Sequence, residues 1–182
     1  RKIGQRFWGS EVAADFSTYD GKALAAKKIQ DRSYAKECLV LCLMLWPNLH
    51  VRHSEEHVGD PTIESKLLSA ITGRELDEEE LNRVGERVFN LQRAILTREG
   101  RRGREDDKLP ELCYTTPLIT EAYNARCLVP GKDGEIISRK GTVLDREQFE
   151  RVMDEYYELR GWDVASGFQT KAKLEELGLR DI

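Results

Sequence analysis

Residues 77–100 read DEEELNRVGERVFNLQRAILTREG, a pattern that predicts one amphipathic helix. The apolar side chains recur at three- and four-residue spacing and form a single stripe, which consists of Leu81, Val84, Val88, Leu91, Ile95 and Leu96. Asp77 caps the acidic first turn, the arginines near the other end suit the helix dipole, and Gly100 ends the helix. The segment therefore predicts a helix that turns one face toward the core.

The segments around this helix predict further helices. They extend over 62–72, 117–126, 145–160 and 171–177. Asp145 is the N-cap of the helix over 145–160, which Gly161 stops, and Gly73 stops the helix over 62–72. Residues 129–144 contain three glycines and form either a small hairpin or a loop. The predicted fold class is therefore mainly α, one helical domain over 1–182 with at most one small β-hairpin.

Another helix is predicted from Asp20 to Trp46, where Ala-, Leu- and Lys-rich sequence continues until Pro47. Its last part, from Cys38 to Trp46, is apolar on every side, and this predicts burial on all faces at the centre of the domain. Cys38 and Cys42 lie four positions apart, on one face of that helix. Their spacing alone favours a pair of buried structural thiols.

The composition excludes several classes of protein. The chain has 182 residues with 29 Lys+Arg, 33 Asp+Glu and a net charge of -4, so no single-sign field would attract it to nucleic acid or an anionic membrane. The longest apolar stretch is about half of the roughly 20 residues that cross a bilayer. Position 1 is Arg and no secretory leader follows it. We expect a fragment of a cytoplasmic protein.

Local motifs alone assign no chemistry to this chain. No Cys-x-x-Cys pair and no Ser-His-Asp arrangement is present, so no catalytic residue is assigned in this chain. His50, His53 and His57 could hold a divalent metal on a continuous helix, but their surroundings favour a solvated loop. Residues 98–107 combine arginines with glycines, as phosphate-binding loops do. The acids at the end of that segment favour a helix-terminating turn whose arginines pair with its own carboxylates.

Several stretches that occur in a fixed order are more specific than any one motif. They are Gln30-Asp31, Glu37-x-x-Val40-Leu41-Cys42, ERVFNLQR at 86–93, Arg98-Glu99-Gly100, Arg104-x-Asp106-Asp107-x-Leu109-Pro110, YYELRGWD at 156–163, Gly167, Thr170, Lys173-Leu174 and Leu177-Gly178-Leu179. Together they resemble the C-terminal part of the aldehyde ferredoxin oxidoreductase family, the tungsten or molybdenum bis-pterin enzymes. The resemblance extends from about position 30 to the end of the chain.

The resemblance implies a cofactor role for three residues. Cys42 would be the last of four cysteine ligands of a [4Fe-4S] cluster, and the other three would lie upstream of this chain. Glu37, Leu41 and Cys42 would approach one pterin, with a carboxylate accepting hydrogen bonds from the ring. The tungsten (or molybdenum) bis-pterin and the cluster would belong to the full-length enzyme, and the isolated fragment is expected to carry neither.

Two positions differ from the family pattern. Glu37 stands where the family usually has Asp, and Val40 stands where it usually has Gly. A branched side chain at the glycine position works against close backbone approach to the pterin. These differences indicate a divergent branch, near the tungsten subunit of the benzoyl-coenzyme A reductases.

The function implied by the resemblance is that of an oxidoreductase acting on aldehydes or a related carbonyl or acyl substrate. Its partners would be ferredoxin or an electron-transfer subunit, together with its own N-terminal pterin-binding domain. Two alternatives stay open. One is a cofactor-free helical interaction or regulatory module in which Cys38 and Cys42 are ordinary core thiols. The other is a small zinc protein that uses His50, His53 and His57.

Overall fold

The computed structural model describes residues 1–44, 46 and 48–182 of the chain. Its helices are α1 (Lys2–Trp8), α2 (Lys22–Cys38), α3 (Ile63–Thr72), α4 (Glu78–Arg98), α5 (Leu112–Thr115), α6 (Arg146–Arg160) and α7 (Lys171–Glu176). Strands β1 (Leu128–Pro130) and β2 (Ile136–Ser138) pair antiparallel, with Val129 opposite Ile137. The predicted fold class, mainly α with one small hairpin, is confirmed. Among the described residues, no helix is both long and apolar enough to span a bilayer.

Helix α4 has the bounds and the caps that its sequence predicts. The Asp77 carboxylate accepts from the Glu80 N–H at 2.8 Å, and the Glu80 carboxylate accepts from the Asp77 N–H at 2.9 Å, which forms a capping box. The helix packs closely against α2 at Gly85. A Cβ at this position would lie 1.9 Å from the Asp31 carbonyl oxygen, so any side chain here would push the two helices apart.

The aromatic core lies where α2, α4 and α6 meet. Its buried members are Ala23, Tyr156, Tyr157 and Trp162, and Phe89 packs against them. The Trp162 ring lies 5.9 Å from the Tyr156 ring, centroid to centroid, in an edge-to-face arrangement. Its indole N–H donates to the side-chain oxygen of buried Asn90 at 2.9 Å, so the core contains a satisfied polar group.

Arg160 of α6 is completely buried and joins α6 to α2. Its Nη1 donates to Asp31 Oδ1 at 2.5 Å, its Nη2 donates to Gln30 Oε1 at 2.7 Å, and its guanidinium lies 4.6 Å from the centroid of the Phe89 ring. Lys27 also pairs with Asp31, at 2.8 Å. The buried carboxylate therefore has a cation on each oxygen, which is what makes its desolvation tolerable.

Asp107 is the centre of a second ion network, which is partly buried. Arg93 donates to both of its oxygens, at 2.9 and 2.5 Å, and Arg101 and the Tyr157 hydroxyl donate at 2.6 and 2.8 Å. Burial would raise the pKa of Asp107, but the hydrogen bonds from these partners outweigh it and hold the pKa below its ordinary value. Arg93 also donates to the Gly167 carbonyl at 2.8 Å, and this bond ties the segment after α6 to α4.

Both networks are built from the stretches that carry the family resemblance. Asp31, Arg93, Asp107, Tyr157 and Arg160 all belong to those stretches, and all of them make interhelical or helix-to-loop contacts. Most of the resemblance therefore reports on the scaffold and not on a reacting site. The arginine-rich turn is also structural: Arg102 pairs with Glu105 and Asp106, as predicted, whereas Arg104 reaches Glu150 and Asp154 of α6.

The prediction of one helix from Asp20 to Trp46, buried on all faces from Cys38 onward, is wrong. Helix α2 ends at Cys38, and the segment after it is largely at the surface, with Val40 92% and Met44 83% exposed. Leu45 and Pro47, which the prediction placed at the helix end, lie outside the described residues. The prediction assumed that an apolar segment must be buried by other parts of the same chain. The described chain instead leaves much of the segment after Cys38 exposed.

The helix predicted over 117–126 is also wrong. The short helix α5 lies just before it, and residues 117–126 are irregular. The Leu118 N–H donates to the Thr142 carbonyl at 2.9 Å, and the Gly141 N–H donates to the Leu118 carbonyl at 2.7 Å. These long-range backbone hydrogen bonds satisfy groups that a helix would have paired locally, so tertiary pairing overrides the weak helical propensity.

Candidate cofactor-binding site at the end of helix α2

Helix α2 ends in a left-handed turn that leads directly into Leu41 and Cys42. The Val40 N–H donates to the Glu37 carbonyl at 2.9 Å, and the Leu41 N–H donates to the Lys36 carbonyl at 3.0 Å. Val40 lies in the left-handed region with φ 59°. These two hydrogen bonds, with a left-handed residue just after the helix end, form the Schellman motif. Gly is the usual left-handed residue of this motif. The family glycine that Val40 replaces therefore corresponds to a conformational requirement of this turn.

The turn separates the two thiols that the sequence placed on one helix face. Cys38 is the last residue of α2, and Cys42 lies beyond the reversal of the chain. Both are exposed. The interpretation as a pair of buried core thiols is therefore wrong, and the alternative of a module with these thiols in its core loses its basis. Cys42 therefore lies at the surface of the described chain.

Glu37 and Leu41 lie on either side of the turn. Glu37 is exposed and Leu41 is half-buried. Glu37 offers an exposed carboxylate that can accept hydrogen bonds from a pterin, and Cys42 offers one of the four thiolates that a [4Fe-4S] cluster needs. The residues present therefore fit a partial contribution to each group, since one thiolate does not make a complete cluster site.

Lys36 holds the chain that follows Cys42 through a hydrogen bond to Trp46. It is buried, and its ammonium donates to the Trp46 carbonyl, while the Trp46 N–H donates to the Cys42 carbonyl at 2.8 Å. Burial lowers the pKa of Lys36, while Glu64 and Cys42 act in the opposite direction through their charges. Sequence reasoning missed this residue because a lysine on an amphipathic helix is usually solvated. Its position before the Glu37–Cys42 segment was the one available signal.

The histidines form no metal site in the part of the chain that the structure describes. His50 and His57 stack with ring centroids 5.7 Å apart, and His50 is bridged to Val58 in an irregular loop. No group of three His, Cys, Asp or Glu side chains among the described residues converges on one point. The loop interpretation is confirmed, and the zinc alternative with His53 as a third ligand finds no support.

Replacing Val40 by Gly is expected to stabilise the chain by about 0.5–1 kcal/mol, because a β-branched residue is strained in the left-handed region. The side chain is almost fully exposed, so little packing is lost. Urea unfolding measures the change. Val84→Gly, in the middle of α4, is the matched control and should lose about 1 kcal/mol. Loss of stability in Val40→Gly would contradict the left-handed assignment.

Comparison with known proteins agrees with the helical scaffold and identifies the family. The family described as aldehyde ferredoxin oxidoreductase, domains 2 and 3, matches residues 3–179. The tungsten-containing aldehyde ferredoxin oxidoreductase of Pyrococcus furiosus is 30% identical over 116 residues, and that of Pyrococcus abyssi is 28% identical over 116 residues. Each match covers 64% of this chain and 16% of the relative, so the chain spans about a sixth of the length of these proteins.

A solved structure has a similar fold. It is the active-site complex of a benzoyl coenzyme A reductase in complex with 1,5-dienoyl-CoA, with a TM-score of 0.58 and 22% identity. The match covers 91% of this chain and 20% of that chain. With the family match over nearly the whole length, the chain belongs to the aldehyde ferredoxin oxidoreductase family.

Proposed function

We propose that this chain is the C-terminal, helical part of a cytoplasmic tungsten-pterin oxidoreductase, and that the end of α2 is its contribution to the cofactor site. Cys42 ligates one iron of a [4Fe-4S] cluster, and Glu37 and Leu41 contact one pterin. The other cluster ligands and the N-terminal pterin-binding domain belong to the rest of the enzyme. The substrate class is an aldehyde or a related carbonyl or acyl compound, with ferredoxin or an electron-transfer subunit as partner.

The observation that supports this proposal most strongly is that most residues of the segment 37–44, at a helix end, are exposed. An apolar segment with an accessible thiol is unusual on a surface that stays in water. A cofactor and the protein around it would cover this segment. Low solvent access around a cluster is also one of the factors that set its potential.

Each residue of the site has a distinct task in this proposal. The Glu37 carboxylate accepts hydrogen bonds from the pterin ring, and the left-handed turn at Val40 orients Leu41 and Cys42. Lys36 fixes the returning chain through the Trp46 carbonyl. When bound, the tungsten-pterin and the cluster supply the redox chemistry, and the protein supplies position, charge and exclusion of water.

We expect Cys42→Ser, made in the full-length enzyme, to abolish or strongly perturb the [4Fe-4S] signal in electron paramagnetic resonance. The iron content should also fall. A hydroxyl is a much poorer ligand for iron than a thiolate. Cys38→Ser is the matched control, since Cys38 is an exposed thiol four residues earlier. It should keep both the signal and the iron.

Two results would contradict the proposal. One is a Cys42→Ser protein with unchanged cluster signal and full iron content, and the other is an equal loss in Cys38→Ser. The isolated chain gives a further check, because it is expected to bind neither iron nor tungsten. Stoichiometric metal in the purified chain would show that the site is complete without other segments.

A further inference from the structure

A cavity of about 680 Å³ lies between α2, α4 and α6. The residues of α2 that line it lie between Lys22 and Gln30. This volume is within the range of 300–1,000 Å³ that is typical of sites for small organic ligands. Its apolar walls include Phe89, Leu96, Leu109, Phe149, Val152 and Met153. The cavity is thus roomy and mostly apolar, as small-molecule sites are.

The polar part of the cavity has an excess of positive charge. Arg93, Arg101 and Asp107 line it together, and both arginines share the Asp107 carboxylate. Asp106, which also lines the cavity, is neutralised by Arg102. Lys108 adds a further ammonium, and no carboxylate among the described residues pairs with it. The net charge that faces the cavity is therefore positive.

A hydrogen-bond donor completes the polar lining. Gln30 lines the cavity, and its Oε1 accepts from Tyr156 and Arg160 at 2.6 and 2.7 Å. Its amide nitrogen then has no acceptor in the described part of the protein. Apolar walls together with cations and a spare amide donor suit a ligand with a hydrocarbon body and one carboxylate.

We propose that this cavity binds an apolar monocarboxylate, with the carboxylate near Lys108 and Arg101 and the hydrocarbon body against the walls of α4 and α6. Gln30 precedes Cys38 by eight residues along α2, or about 12 Å. The ligand therefore requires neither Glu37 nor Cys42. The proposal stands independently of the cluster and pterin assignments above.

Isothermal titration calorimetry of the purified chain with octanoate and 3-phenylpropionate tests it. We expect a Kd on the order of 0.1–1 mM for both, as ligands of this size usually reach. Acetate lacks the apolar body and 1-octanol lacks the charge, so each should bind at least about fivefold more weakly. No binding of either carboxylate, or octanol binding as tightly as octanoate, overturns the proposal.

Two pairs of variants place the ligand. Leu96→Trp fills the cavity and should weaken octanoate binding about tenfold or more, whereas Ile95→Trp, next to it and outside the cavity, should not. Lys108→Ala should weaken it roughly three- to fivefold, and Lys140→Ala, an exposed lysine elsewhere, should have no effect. Thermal melting checks that each variant is folded. Equal effects within either pair would overturn the placement.

Discussion

Replacing Arg160 by Met is expected to lower the free energy of unfolding by about 3–5 kcal/mol, which is the cost of removing one partner from a buried ion pair. Arg160 is fully buried, and the substitution leaves Asp31 Oδ1 and Gln30 Oε1 without their guanidinium donor. For a chain of this size we expect the melting temperature to fall by roughly 10 °C. Urea unfolding at pH 7 gives the free energy directly.

Arg151→Met is the matched control for this prediction. Arg151 lies on the same helix, but it pairs with Asp20 at the surface, where its side chain is 50% exposed. Exposed pairs contribute about 1 kcal/mol or less, so this variant should be close to the wild type. Equal losses in Arg160→Met and Arg151→Met would show that the buried pair has no special role.

A double variant separates the pair from the rest of the network. If much of the loss comes from an unpaired carboxylate, Asp31→Leu combined with Arg160→Met should be less unstable than the sum of the single variants. The remaining cation on Asp31 is Lys27, which also pairs with Glu86 at 3.3 Å and so keeps a partner. Strict additivity would contradict the assigned coupling between Asp31 and Arg160.

Asp107→Asn is expected to cost about 2–4 kcal/mol at pH 7, since it removes the charge that Arg93 and Arg101 share. The same change should alter the response to acid. The pKa of Asp107 is lower in the folded chain than its ordinary value, which is near 3.9 in unfolded chains. Its contribution to stability is therefore complete above pH of about 5 and is lost as the pH falls through the folded pKa.

The measurement is urea unfolding of wild type and variant between neutral pH and about pH 2.5. The difference between the two proteins should be constant near neutrality and should shrink below about pH 4, because the carboxyl of the unfolded wild-type chain then takes up a proton before that of the folded chain does. Asp106→Asn, whose carboxylate is paired at the surface, should have a much smaller effect. A difference that stays constant down to pH 2.5 would contradict the role of Asp107.

Tyr157 reports on the same network at alkaline pH. Burial raises its pKa, and its hydrogen bond to Asp107 and the charge of that carboxylate raise it further. In Asp107→Asn the phenol should therefore ionise at lower pH than in the wild type, which is visible in the ultraviolet absorbance of tyrosinate. An unchanged titration would mean that the two side chains are not coupled.

Local sequence was sufficient for most of the helices. The caps at Asp77 and Asp145 were readable because each side chain accepts from a backbone N–H only three residues away. The stop signals at Gly73 and Gly161 were readable for a similar reason, since both lie in the left-handed conformation that glycine adopts at no steric cost. These are short-range effects that depend on neighbouring residues alone.

Local sequence failed at the end of α2 and at 117–126. In the first case a run of apolar residues indicated burial, but the described part of the chain leaves much of this segment exposed. In the second, backbone bonds between Leu118 and residues 141–142 replaced a weak helical preference. Both errors have one cause: the state of each segment depends on contacts with groups distant in sequence, which local patterns do not report.

The sequence by itself determined the mainly helical class, the bounds of α3, α4, α6 and α7, and the resemblance that singled out Glu37, Leu41 and Cys42. Only the tertiary structure decided that Cys42 is exposed beyond a left-handed turn and that Lys36 supports it from within the core. It also decided that Asp31 is neutralised by Arg160, 129 residues away. Caps and periodicity act over a few residues, whereas burial and charge pairing depend on which distant segments the fold brings together.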